Sequence, residues 1–162
     1  PEEIGLGVDG CSVPTFHAPL AAAARGYAAL ADPRAAGCAA GVAAAVDTVV
    51  RAMTAAPEMV AGPGRFTTRL MAATGGRVLA KEGAEGLYGL AVRGPVALGI
   101  AVKIADGGER SRDGVVLDVL RQLGSLSGGE FEELRDLHTP VLYNHRGIRV
   151  GEVRPEVDLE EV

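Results

Sequence analysis

Two apolar runs that meet at a charged, glycine-bearing corner constrain this chain more than any other feature. Arg77-Val-Leu-Ala80 reads as a short β-run entering Lys81-Glu82-Gly83-Ala84-Glu85-Gly86, and Leu87 to Val92 reads as a second run leaving it. A buried strand seldom carries such a corner without a use for it, so candidate chemistry belongs there. A hairpin-like return through Arg93-Gly94-Pro95 leads into Leu98 to Ala105, where Leu98, Ile100, Val102 and Ile104 alternate with Gly99, Ala101, Lys103 and Ala105. One face of this strand is bulky and the other thin, and the thin face suits close packing against a helix. These runs are the expected central strands.

The rest of the chain supplies layers for that sheet. Residues 4 to 8 read as a strand ending in the turn Asp9-Gly10-Cys11-Ser12-Val13-Pro14. Leu20 to Leu30 has helix-forming content and is stopped by Pro33. Residues 40 to 54 form a longer helix, whose Val42, Val46, Val49, Val50 and Met53 recur at three- and four-residue steps and predict a buried face. Val60 to Gly64 is a breaker cluster, after which Arg65 to Ala73 resumes helical content with Arg65 and Arg69 on one side. Asp106-Gly107-Gly108 closes the last central strand, and Val115 to Leu126 is an amphipathic helix with Asp113 as its capping candidate. A shorter helix spans Glu130 to Leu137, Asn144 and Gly147 flank a last edge strand through Val153, and the tail from Glu156 is acidic and expected to fray. The pattern predicts an α+β fold, helix layers packed on an antiparallel sheet.

At 162 residues the chain has the size of one domain. Its net charge of −5 and scattered arginines argue against a nucleic-acid partner. Arg25, Asp32, Asp47 and Arg51 interrupt the alanine-rich region before an apolar run can reach the roughly 18 residues of a membrane span, so the chain is expected to be soluble. Cys11 and Cys38 are too few for a disulfide framework, which favours a reducing, cytoplasmic setting. The chain starts at Pro1, without an initiator Met, on a strand already under way; the expectation is a truncated chain.

Among 16 basic residues only Lys81 and Lys103 are lysine. An ammonium can lose its proton when partly buried and is a compact donor, whereas guanidinium stays charged and wide. Lys81 fits such a demand, against the plain alternative of a solvated charge; for Lys103 the plain reading is preferred. Cys11 could be a thiolate ligand or nucleophile, or more plainly a small buried hydrophobe, and His17, His138 and His145 show no ligand spacing and read as structural. Gly62-Pro63-Gly64 lacks the Lys-Ser/Thr of a phosphate loop, so a helix-entry turn is its better account.

Four stretches in matching order carry a family resemblance: Gly7 to Phe16 with Asp9-Gly10-Cys11, Met59 to Phe66, Lys81 to Gly86, and Gly99 to Gly107. They resemble the C-terminal half of the Rhizobium-type asparaginase II family over residues 1–155, with 156–162 left as the acidic tail. The resemblance implies a fold similar to the serine β-lactamases and penicillin-binding proteins, here incomplete, and hydrolysis of L-asparagine to aspartate and ammonia through a Ser-x-x-Lys nucleophile. It also implies a zinc ion, with Cys11 a ligand and Asp9 a ligand or orienting partner. Lys81 would face the catalytic serine, Ala84 would lend its N–H to an oxyanion hole, and Gly83 and Glu85 would meet the substrate.

The chain departs from that pattern. No Ser-x-x-Lys occurs in its 162 residues, since Val78 and Ile100 stand three positions before the two lysines. The nucleophile, the second cysteine ligand and a zinc-binding lysine are therefore expected in a missing N-terminal half, without which this chain should be inactive, bind zinc weakly and expose apolar surface. Association with that half, or a homo-oligomer, is the expected remedy. The alternative is a stand-alone, non-catalytic module that binds an amino acid or a partner. A penicillin-recognising hydrolase is disfavoured by Glu82, where those enzymes carry Thr or Ser.

Overall fold

The computed structural model describes residues 4–161. The start at Pro1 and the last residue of the acidic tail lie outside them. A hairpin of β1 (Gly5–Val8) and β2 (Pro14–His17) comes first, followed by helices α1 (Leu20–Ala31), α2 (Ala40–Ala55), α3 (Pro57–Ala61) and α4 (Phe66–Ala73). Strands β3 (Val78–Glu82), β4 (Leu87–Val92) and β5 (Leu98–Lys103) then form the central sheet. Helices α5 (Arg112–Gln122), α6 (Gly128–Glu133) and α7 (Arg135–His138) precede a last hairpin of β6 (Val141–Tyr143) and β7 (Arg149–Glu152). The central sheet is an antiparallel meander in the order β3-β4-β5, and the whole is a mixed helix and antiparallel-sheet fold. Among the described residues no helix is long and apolar enough to cross a membrane.

Strand alternation gives the sheet two different faces. Lys81 pairs with Gly89 and Gly89 with Ala101, while Leu79, Ala91 and Gly99 line up one step along the same face. This thin face receives α1: a Cβ on Gly99 would fall 1.9 Å from the Ala24 carbonyl oxygen, and one on Gly89 would fall 2.0 Å from the Tyr27 ring. The helix thus rests on strand backbone, as the small residues of β5 led us to expect. Val78, Ala80, Tyr88, Leu90 and Val92 stand on the other face, with Ile100 and Val102 beside them, and join Phe66, Leu70 and Met71 of α4 and Val116, Leu117 and Leu120 of α5 in the core.

Several expectations need correction in detail. On α2, Ala43 and Val50 are buried, whereas Val42 and Val49 are 54% and 53% exposed, so the inward stripe is narrower than the valine spacing implied. Helix α5 begins three residues earlier than predicted, with Ser111 at its N-cap and Asp113 inside the first turn, where a carboxylate favours the helix dipole. The Glu130–Leu137 helix is two short helices, and α6 opens with a capping box: Ser127 Oγ accepts from the Glu130 N–H at 3.3 Å, and the Glu130 carboxylate accepts from the Ser127 N–H at 2.7 Å. The acidic tail is tied to α5, because the Gln122 side chain donates to the Val157 carbonyl and accepts from the Leu159 N–H.

Candidate active-site wall

Lys81 stands near the C-terminal end of β3, exposed, with its ammonium donating to the Glu82 carbonyl at 2.8 Å. Beside it lies a cleft of about 80 Å³ between α1 and the sheet, lined by Ala23, Tyr27, Lys81, Gly83, Gly89 and Ala101 among others. The space exists because Gly89, paired with Lys81, and Ala101, paired with Gly89, carry almost no side chain. Tyr27 was not singled out from sequence, although Gly89 inside an apolar strand was a readable sign that something approaches its backbone. Burial pushes the Tyr27 phenol above its ordinary value, so it enters the cleft as a neutral hydroxyl.

After Glu82 the ladder slips. The Gly83 N–H donates to the Leu87 carbonyl at 2.9 Å, and the Leu87 N–H donates to the Ala84 carbonyl at 3.2 Å, so Gly83 and Ala84 together face Leu87. Such a bulge leaves one residue outside the ladder, and among the described residues the Ala84 N–H has no backbone acceptor. Glu85 and Gly86 both have positive φ, 56° and 69°, the pair of left-handed conformations that a type I′ turn requires. The Glu85 carboxylate reaches over Gly107 of the β5–α5 loop, where a Cβ would sit 2.5 Å from Oε2.

Glu82 points the other way, to the α4–α5 side. Its carboxylate accepts from Arg65 at 3.2 and 3.3 Å and from Arg112 at 3.5 Å. Arg112 is 2% exposed and lies over the Tyr88 ring at 5.2 Å, with Asp113 Oδ1 3.0 Å from its Nε. Glu109 stands 3.2 Å from Nη1 but off the N–H direction, so that nitrogen has a counter-charge without a directed hydrogen bond. Burial raises the Asp113 carboxyl above its usual range, against the pull of Arg112. Burial likewise raises the Tyr88 phenol, which shares a 2.7 Å hydrogen bond with Thr67. The short segment Lys81–Glu85 is therefore anchored on its inner side by Glu82 and open on its outer side. A buried arginine under a strand end left no local trace in the sequence.

Asp9 and Cys11 come together in the β1–β2 turn. The Cys11 thiol lies 3.6 Å from Asp9 Oδ2, and Oδ1 accepts from the Gly10 N–H at 2.6 Å. The turn is exposed, and no residue of this hairpin lines the Lys81 cleft. Among the described residues no group of three or more His, Cys, Asp or Glu is placed to hold a metal ion. A soft thiolate and a hard carboxylate suit zinc, but they supply two of the four donors it needs.

The other candidates resolve toward structure. His138 bridges Asp118 at 3.3 Å and Thr139 at 2.9 Å and meets the Phe131 ring edge-on. Gly62 ends α3 and its carbonyl accepts from Thr68 Oγ1 at 2.6 Å, which makes Gly62-Pro63-Gly64 the entry turn of α4. Asp106 accepts from the Gly108 N–H at 2.8 Å, a side-chain-closed turn. Lys103 is exposed and donates to the Ile104 carbonyl.

Comparison with known families decides the identity. The model of the family described as L-asparaginase II matches residues 1–155. The chain belongs to the L-asparaginase II family. It matches no curated protein. The L-asparaginase II match takes in Asp9, Cys11 and the whole Lys81–Gly86 segment.

Proposed function

We propose that this chain forms one wall of an amide-hydrolase site that converts L-asparagine to L-aspartate and ammonia, its serine nucleophile supplied by a Ser-x-x-Lys segment N-terminal to Pro1. The observation that carries the reading is the bulge at Gly83–Ala84: in a chain of the L-asparaginase II family, it sets a backbone N–H with no backbone acceptor among the described residues three positions beyond Lys81. An N–H held by a turn rather than by a mobile side chain costs no reorganisation when negative charge develops on a carbonyl oxygen. In this reading the serine oxygen attacks the side-chain amide carbon, ammonia leaves with a proton, and water hydrolyses the resulting ester.

Lys81 places or hands over positive charge opposite the serine, Ala84 donates to the oxyanion, Gly83 lets substrate approach the strand edge, and Glu85 is the candidate partner for the substrate ammonium. A bound zinc would add positive charge beside the site. On this chain Cys11 and Asp9 would hold it, the remaining donors coming from the N-terminal half. The sheet with helices on both faces is compatible with a serine β-lactamase-like fold completed by that half, and a cytoplasmic homo-oligomer remains the proposed form.

The absence of Ser-x-x-Lys from all 162 residues also favours a second reading, a non-catalytic module that binds an amino acid. Ammonia release from L-asparagine distinguishes the two. The chain alone is expected to release none, and addition of the N-terminal half is expected to restore turnover. Turnover by the chain alone would place the nucleophile within it and overturn the proposal, and an upstream sequence lacking Ser-x-x-Lys would leave the binding module.

A further inference from the structure

Three arginines line one surface cleft at the end of the sheet away from Lys81. Arg34 beyond α1, Arg51 on α2 and Arg93 beyond β4 line it with Asp47 and Thr48, around a volume of about 470 Å³. The Arg93 N–H donates to the Arg77 carbonyl at 2.9 Å, next to the Val78–Val92 pair, whereas Lys81 pairs with Gly89 near the opposite end of β3.

The charges in this cleft do not balance. Asp47 is its one carboxylate; Oδ2 accepts from Arg34 at 2.8 Å, and its backbone carbonyl accepts from Arg51 Nε at 3.3 Å. Three guanidiniums less one carboxylate leave two positive charges. Among the described residues neither Arg51 nor Arg93 has a carboxylate partner. Other arginine-bearing hollows are compensated: Arg135 and Arg154 share theirs with Asp136 and Glu152, and Arg121 shares its own with Asp118, Glu156 and Asp158. A concentration of positive charge in a concavity of a chain with net charge −5 is a local field that an anion relieves.

We propose that this cleft binds a dianionic oxyanion of the phosphate class, either the free ion or a phosphate monoester. Two excess positive charges match a dianion, and guanidinium forks present paired N–H groups at the spacing of two phosphate oxygens. Thr48 does not share in the recognition, because its hydroxyl already donates to the Ala44 carbonyl at 3.0 Å. Affinity comes from solvent-exposed charge and therefore weakens as salt rises. Asp47 competes with the ligand for Arg34, so its removal tightens binding.

The test is an NMR titration of the chain with sodium phosphate, followed at the arginine Nε–H signals, against sodium chloride at matched ionic strength. Saturable shifts of Arg51 and Arg93 with phosphate and not with chloride are expected. Arg51→Gln with Arg93→Gln is expected to weaken phosphate binding about tenfold without moving the melting temperature, and Asp47→Asn to tighten it. Equal responses to phosphate and chloride, unchanged affinity in the double variant, or no tightening in Asp47→Asn would each overturn the site. Adenosine monophosphate separates the two sources: saturation by either probe supports the site, and markedly tighter binding of the nucleotide assigns it to a monoester.

Discussion

Lys81 is held by a single hydrogen bond to the next carbonyl, 2.8 Å away. Nothing in its packing demands an amine, so a structural role would let arginine replace it with no loss. If it handles charge or a proton opposite a serine, Lys81→Arg in a protein that includes the N-terminal half should lower the rate of ammonia release by about 10²-fold or more at unchanged melting temperature. Retained turnover would return Lys81 to the surface. Gly86 is fixed for a different reason: its φ of 69° is unfavourable for other residues, and a Cβ there would meet the Ile104 Cβ at 2.8 Å. Glu85 pays a conformational cost in the same turn with its φ of 56°, a strain of order 1 kcal/mol that a glycine would relieve. Glu85→Gly should therefore raise stability slightly while lowering affinity for L-asparagine in the complete enzyme, a split visible by calorimetry.

At the scale of elements, the contact between α1 and the sheet leaves no room for added atoms. Gly99→Ala puts a methyl group 1.9 Å from the Ala24 carbonyl oxygen, and backbone on both sides has to move. A loss of about 3 kcal/mol is expected from chemical denaturation. Gly89→Ala meets the Tyr27 ring instead, and Tyr27→Ala in the same chain should recover part of its loss. The bidentate Arg69–Asp136 pair, 2.7 Å at both oxygens, joins α4 to α7, and the hydrogen bond from Arg69 leads in holding the Asp136 carboxyl below its usual range. The folded state thus favours the ionised carboxylate, so this stability is present above the unfolded value near pH 4 and is lost as pH falls through the lower folded value. Arg69 is half-buried but Asp136 is 64% exposed, and solvent screening at the carboxylate limits the effect to about 1 kcal/mol or less. The stability gap between the native chain and Arg69→Gln should narrow in acid. The thin face of β5 and the helices were readable because period and residue size are local properties. The narrow inward stripe of α2 was not, because Val42 and Val49 differ from Val50 only in what lies opposite. The Ser127–Glu130 capping box carried a local signature that the glycines between them obscured. The site split the same way: the Lys81–Gly86 turn announced itself by composition, whereas the place of Tyr27 and the burial of Arg112 depend on elements far away in sequence.

For the molecule as a whole, the N-terminal hairpin is the part least reconciled with solvent. Leu6 pairs with Phe16 and Val8 with Pro14, which puts one apolar face on the ribbon, and Leu6 and Phe16 are 74% and 76% exposed. Such a patch on the chain in isolation should drive self-association. Leu6→Ser with Phe16→Ser is expected to shift sedimentation toward the monomer and leave the melting temperature unchanged; an unaltered sedimentation profile would show that the hairpin is not the adhesive surface. The seat of α1 on the sheet has a mechanical meaning as well. Side chains between two elements act as a compliant layer; at Gly99 that layer is missing, and at Gly89 it is the Tyr27 ring alone. A tilt of α1 therefore bears directly on β5 at Gly99 and, through the Tyr27 ring, on β4 at Gly89, the residue paired with Lys81. The amides of Ala24 to Ala28 and of Gly89 to Gly99 should accordingly exchange with solvent as one unit, so that a partner gripping the outer side of α1 would also brace the strand that pairs with Lys81.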